Sequence, residues 1–129
     1  MDIKTYDSLC IISSLIALIL LLLMMNKFTY CGVFIAAAIF SILWRTYRYN
    51  TCCNQNHPLF YLDLLFAMLT IYYCCYSKEI STIALITIVT LMILSWLLRF
   101  INNISLCNIV HCLAHYLTVG YLFYCFFTL

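Results

Sequence analysis

Five long apolar stretches constrain the fold of this chain more than any other feature of its sequence. Each is close to the roughly 20 residues that an α-helix needs to cross a hydrocarbon core about 30 Å thick. The predicted spans cover residues 8–25, 28–44, 58–76, 80–101 and 108–129.

The balance of charged and apolar residues supports the same fold. Only 8% of the 129 residues are charged and 67% are hydrophobic, whereas a soluble domain carries roughly 25% charged residues. We therefore predict one all-α transmembrane domain over residues 1–129, a polytopic bundle of about five helices in contact with the lipid bilayer. The net charge of +2 is small and its basic residues are scattered, which argues against nucleic acid as a partner.

The nine cysteines indicate free thiols rather than a disulfide framework. Most lie inside apolar runs, where cysteine behaves as a small hydrophobe. An odd count with two vicinal pairs also fits a disulfide scaffold poorly, and free thiols favour loops that face a reducing compartment. The high usage of Ile, Tyr, Asn and Cys is typical of an AT-rich genome, such as that of a large DNA virus.

The distribution of basic residues predicts the orientation of the chain. Five spans place the two termini on opposite sides of the membrane. Basic residues are enriched in cytoplasmic loops. One side would hold Lys4, Arg45, Arg48 and Arg99, and the other Lys27 and Lys78. The N-terminus is therefore predicted in the cytoplasm and the C-terminus on the opposite side.

Polar side chains that are costly in a membrane fall in one leaflet. An ionisable group at the centre of a span costs on the order of 2.5–3.5 kcal/mol, so each one requires an explanation. The alternating direction of the spans brings the ends of spans two and four to the same side as the starts of spans three and five. The residues that share this leaflet are Ser41, Arg45, His57, Asp63, Arg99, His111 and His115.

These residue types predict a zinc site. His111 and His115 are four apart on one helix face, as in the helical histidine pairs that bind zinc. His57 is the candidate third ligand, and Cys107 lies one turn before His111. Asp63 is predicted to bind the ion or to hold a metal-bound water, whose pKa zinc lowers to about 7. Ser41 is predicted to position the substrate or an oxyanion, which makes Ser41 and Asp63 the candidate catalytic residues.

Two other classes of function stay open from the sequence. The polar cluster could tie the helices together or bind a partner, because buried membrane charges usually pair and histidines hydrogen-bond between helices. Alternatively, Asp63 and the histidines could relay protons or ions in a small conducting subunit. The sequence does not give the oligomeric state.

The order and spacing of these residues resemble the CREST superfamily of membrane hydrolases. Its pattern is S-x-x-x-H, then an aspartate in the next span, then H-x-x-x-H in the last span. Ser41, Asp63, His111 and His115 stand at matching positions. The resemblance implies a zinc-dependent hydrolase that cleaves an amide bond of a membrane lipid. Arg45 replaces the first histidine and cannot ligate zinc, and the chain has about five spans where the superfamily has seven.

Overall fold

The computed structural model describes residues 2–51, 57–77 and 81–128. Within these ranges the chain forms five α-helices: α1 (Ile3–Leu23), α2 (Cys31–Thr51), α3 (Pro58–Ser77), α4 (Thr82–Phe100) and α5 (Ile104–Thr128). All five are long and apolar enough to cross a membrane. The prediction of an all-α, multi-pass membrane protein with about five helices is confirmed.

The helices are arranged as a ring. In the described ranges each helix packs against the next along the chain, and α5 returns to pack against α1. Within the described residues the backbones of non-neighbouring helices do not come close to one another, so the centre of the ring is left to side chains and to a cavity. The seam between α3 and α4 is the loosest of the five.

Three helices extend well beyond the apolar runs that predicted them, and one of these is α5, which begins at Ile104 rather than near residue 108. α1 begins at Ile3 rather than near residue 8, and α2 continues to Thr51 rather than ending near residue 44. Asp2 caps α1, because its Oδ1 accepts a hydrogen bond from the Thr5 amide at 2.7 Å, and this bond lowers the pKa of Asp2. The extension of α2 places Arg45 and Arg48 inside a helix instead of in a loop.

Asn102 and Asn103 make the turn that joins α4 to α5. Asn102 adopts a positive φ of 64°, a conformation that Asn tolerates better than most residues. The amide of Asn103 donates to the Leu98 carbonyl and that of Asn102 to the Arg99 carbonyl, which is a Schellman motif. The Asn103 side chain then accepts from the Leu106 amide in the first turn of α5. This turn fixes Arg99 at the same end of the ring as the start of α5.

The two ends of the ring differ in chemistry. We call the end where α1, α3 and α5 begin and α2 and α4 finish the polar end, and the other the apolar end. At the apolar end α1, α2 and α5 share one hydrophobic cluster. Its buried members are Leu20, Leu21, Met24, Phe28, Cys31, Phe34, Leu122 and Cys125. Tyr30, which directly precedes α2, stacks there on Tyr73 of α3 with ring centroids 4.3 Å apart.

Candidate functional site

A cavity of about 710 Å³ occupies the centre of the ring, and we call it the chamber. All five helices contribute to its wall. Towards the polar end the wall includes Tyr6, Arg45, Arg48, Asp63, Arg99 and His111, and Ser13, Ser14, Ser41, His115 and Thr118 follow along the helices. Towards the apolar end it includes Leu21, Phe28, Phe34, Ile71, Leu85 and Leu122. The chamber is therefore amphipathic along its length.

A buried ion cluster between α1 and α2 forms part of the polar end. The Arg48 guanidinium binds the Asp7 carboxylate through two nitrogens, with Nε 3.0 Å from Oδ2. Arg45 Nη1 lies 3.6 Å from the Asp7 Oδ1. The side chain of Asp7 is 1% exposed and those of both arginines 6%. Paired charges of this kind reduce the cost of burial within a membrane.

Asp7 is a residue of this site that sequence reasoning missed, because the predicted first span began after it. The salt bridges among the described residues join Asp7 to the two arginines and do not include Asp63. A sequence signal was present, since Asp7, Cys10 and Ser14 repeat at helical spacing and form a polar stripe in an otherwise apolar helix. All three are buried.

Tyr6 lies between the ion cluster and α5. Its ring centroid is 4.7 Å from the Arg45 guanidinium carbon and 5.6 Å from that of Arg48, distances typical of cation–π contacts. The His111 ring lies 5.7 Å from the Tyr6 ring. One aromatic side chain on α1 thus holds both guanidiniums on α2 close to the histidines on α5.

Arg45 also contacts His111 directly. Arg45 Nη2 lies 3.3 Å from His111 Nε2. A guanidinium only donates, so Nε2 must accept and the ring must be neutral with its proton on Nδ1. The lone pair that His111 would offer to a metal at Nε2 is therefore engaged by Arg45.

His115 is held in the same tautomer by a different partner. Ser13 donates its hydroxyl proton to the Cys10 carbonyl at 2.9 Å, and its Oγ lies 3.1 Å from His115 Nδ1. Because that serine proton is already used, Nδ1 must donate to Ser13. His115 therefore presents Nε2 with a lone pair, and its side chain is part of the chamber wall. His111 and His115 are adjacent, with ring centroids 4.9 Å apart.

The two candidate catalytic residues both reach the chamber wall. Ser41 Oγ accepts a hydrogen bond from Ser14 at 3.1 Å, which leaves the Ser41 proton available to another acceptor. Asp63 lines the wall from α3. The structure thus brings Ser41, Asp63, His111 and His115 to one chamber.

His57 and Cys107 lie apart from these four residues. His57 stacks on Tyr47 at 4.1 Å between centroids, and its Nδ1 accepts from the Leu59 amide at 3.1 Å. Cys107 is 1% exposed, and neither residue is part of the chamber wall. In the ranges that the structure describes, no three His, Cys, Asp or Glu side chains are grouped to hold a metal. Zinc therefore stays a prediction from sequence.

No protein-family model, curated protein or solved structure matches this chain. The resemblance to the CREST superfamily accordingly rests on the order and spacing of the residues in the sequence. Where the CREST pattern has its first histidine this chain has Arg45, whose Nη2 lies 3.3 Å from His111 Nε2.

Proposed function

We propose that this protein is an intramembrane binding protein that holds a single-chain amphiphile in the chamber. The observation that carries the proposal is the amphipathic chamber itself, to whose wall all five helices contribute. Its volume of about 710 Å³ falls within the range of roughly 300–1,000 Å³ that is usual for small-molecule pockets. Such pockets are mostly apolar with a few polar groups that fix orientation, which is the character of this wall.

The direction of the chamber matches the direction of a membrane lipid. A headgroup would lie among the charged and histidine side chains of the polar end, and an acyl chain would follow the apolar wall towards Leu21 and Leu122. The loosely packed seam between α3 and α4 offers a route from the bilayer. A ligand that uses this route keeps its chain out of water throughout.

Filling the chamber should abolish binding. Ala37 and Ala36 are neighbours on α2, but only Ala37 contributes to the chamber wall. We expect the wild-type protein and Ala36→Phe to carry a bound amphiphile through purification and Ala37→Phe to carry none, because the added ring takes the volume that the acyl chain would occupy. The measurement is native mass spectrometry of protein released from neutral detergent, with circular dichroism as a check that both variants remain helical. Equal retention by two folded variants would sink the proposal.

A zinc-dependent lipid hydrolase is the second candidate function. It is favoured by the convergence of Ser41, Asp63, His111 and His115 on the chamber. In this reading His115 Nε2 and Asp63 would hold the ion or its water, and Ser41 would donate to an oxyanion. Zinc would supply the hydroxide nucleophile. His111 could bind the ion through Nε2 only if Arg45 released that atom. The deciding test is therefore the zinc content of the protein with and without this arginine.

We further propose that the polar end faces the cytoplasm, with the C-terminus on the opposite side. The excess of basic residues at that end supports this orientation. In sealed vesicles, protease added from the cytoplasmic side should remove an N-terminal tag and spare a C-terminal tag. The reverse pattern would overturn the orientation, and digestion of both tags would contradict an odd number of spans.

A further inference from the structure

The polar end carries more positive than negative charge. Arg45, Arg48 and Arg99 line the chamber there, and the carboxylates nearby are Asp7 and Asp63. With both carboxylates ionised one positive charge remains in excess, and with Asp63 protonated two remain. An uncompensated charge inside a membrane bundle is unfavourable, so this end favours an anion.

Two hydrogen-bond donors at the same place also lack acceptors. Tyr6 Oη and Arg45 Nε are buried and have no partner among the described residues. Buried donors without partners are rare in folded proteins, because each forfeits its bonds to water. The two side chains are adjacent, since the Arg45 guanidinium carbon is 4.7 Å from the Tyr6 ring centroid, and both contribute to the chamber wall.

We propose that the polar end of the chamber is an oxyanion site and that the amphiphile bound there carries a phosphate headgroup. This inference rests on the proposed function and names the ligand class of the same site. A phosphate monoester carries about −1.5 to −2 charges at pH 7 and three strong acceptor oxygens, which balances the excess charge. The unpaired donors of Tyr6 and Arg45 would bond to those oxygens, and Arg99 would add a second cationic contact.

The test compares three probes on the intact protein in neutral detergent. They are a lysophosphatidic acid, the monoacylglycerol of the same acyl chain, and inorganic phosphate. Titration followed by native mass spectrometry counts the bound molecules and ranks the affinities. We expect lysophosphatidic acid to bind about tenfold or more tighter than monoacylglycerol, because hydrogen bonds to a charged group are the strong ones. Inorganic phosphate should bind far more weakly, since it lacks the chain.

Two variants with matched controls locate the site. Tyr6→Phe removes only the unpaired hydroxyl. It should weaken the binding of lysophosphatidic acid without lowering the melting temperature of the ligand-free protein. Tyr116→Phe is its control, because the Tyr116 hydroxyl donates to the Leu9 carbonyl outside the chamber. Arg99→Gln should also weaken the binding of lysophosphatidic acid. Lys4→Gln is its control and should not weaken binding, because it removes an equal charge from an exposed residue at the polar end.

The outcomes separate the inference from the function on which it rests. Equal affinity for lysophosphatidic acid and monoacylglycerol overturns the oxyanion site and leaves an amphiphile chamber. Binding of neither lipid overturns both proposals. If inorganic phosphate binds as tightly as lysophosphatidic acid, the oxyanion site stands, but its ligand is a free phosphate and not a lipid. Equal losses in Tyr6→Phe and Tyr116→Phe would overturn the assignment of the site to Tyr6.

Discussion

Asp7→Asn is expected to lower the free energy of unfolding by about 3–5 kcal/mol, the usual effect of removing one partner from a buried ion pair. Asp7 is the carboxylate that binds Arg48 and lies 3.6 Å from Arg45, and all three side chains are buried. Without it two guanidiniums remain in the bundle with no counter-ion in contact. The measurement is unfolding in mixed micelles followed by helical circular dichroism.

Two further variants show whether charge is the cause. Asp2→Asn makes the same change at the exposed cap of α1 and should leave stability unchanged, because Asn caps a helix as well as Asp. Asp7→Leu combined with Arg48→Met should recover much of the loss, since apolar replacement of a buried pair is often nearly neutral. Recovery should be incomplete because Arg45 still lacks its partner. An Asp7→Asn protein as stable as Asp2→Asn would contradict the ion cluster.

The sequence predicts the fold of this chain well because each span can be recognised from its own residues alone. A run of apolar residues near membrane length requires no knowledge of its neighbours. The extent of α2 was not predictable in this way, since Arg45 and Arg48 look like a polar loop until Asp7 is placed beside them. That contact joins α1 to α2 across 41 residues, and no local pattern encodes it.

The site could be predicted in part for a related reason. Alternating span direction predicted a similar depth for Ser41, Asp63, His111 and His115, and the structure brings all four to the wall of one chamber. The depth of a residue in the membrane does not determine whether its side of the helix faces the chamber. His57 is near the polar end yet packs on Tyr47, and Tyr6 enters the site although neither its depth nor its residue type marked it. Only the ring order of the helices determines which faces meet.

The ring arrangement of the helices also shows how Arg45 is accommodated at a position where the CREST pattern has a histidine. In the CREST pattern that position carries a histidine, and here Arg45 is paired with Asp7, covered by Tyr6 and in contact with His111. Of these residues Asp7 and Tyr6 belong to α1 and His111 to α5. The surroundings of Arg45 therefore suit a cation at the position where the CREST pattern has a histidine.

Arg45→His is expected to create a zinc site that holds about one ion per chain, because three histidine ligands and a water are a usual zinc coordination. The substitution frees Nε2 of His111 from the guanidinium and adds an imidazole one helical turn from Ser41, on the chamber side. Arg48 keeps its two bonds to Asp7, so the ion cluster is reduced and not lost. Elemental analysis after dialysis measures the zinc content.

The comparison with wild type decides between the two candidate functions. Arg45→Gln removes the guanidinium without adding a ligand, and His115→Ala in the Arg45→His background removes one of the three. If Arg45→His binds zinc, loses it on His115→Ala, and the wild-type protein binds none, the histidines can form a metal site that Arg45 prevents. This result supports the amphiphile-binding function. Zinc in wild type that is lost on His115→Ala supports the hydrolase. Zinc in neither protein overturns the resemblance to the superfamily, because the histidines then do not converge on a metal even when the third is restored.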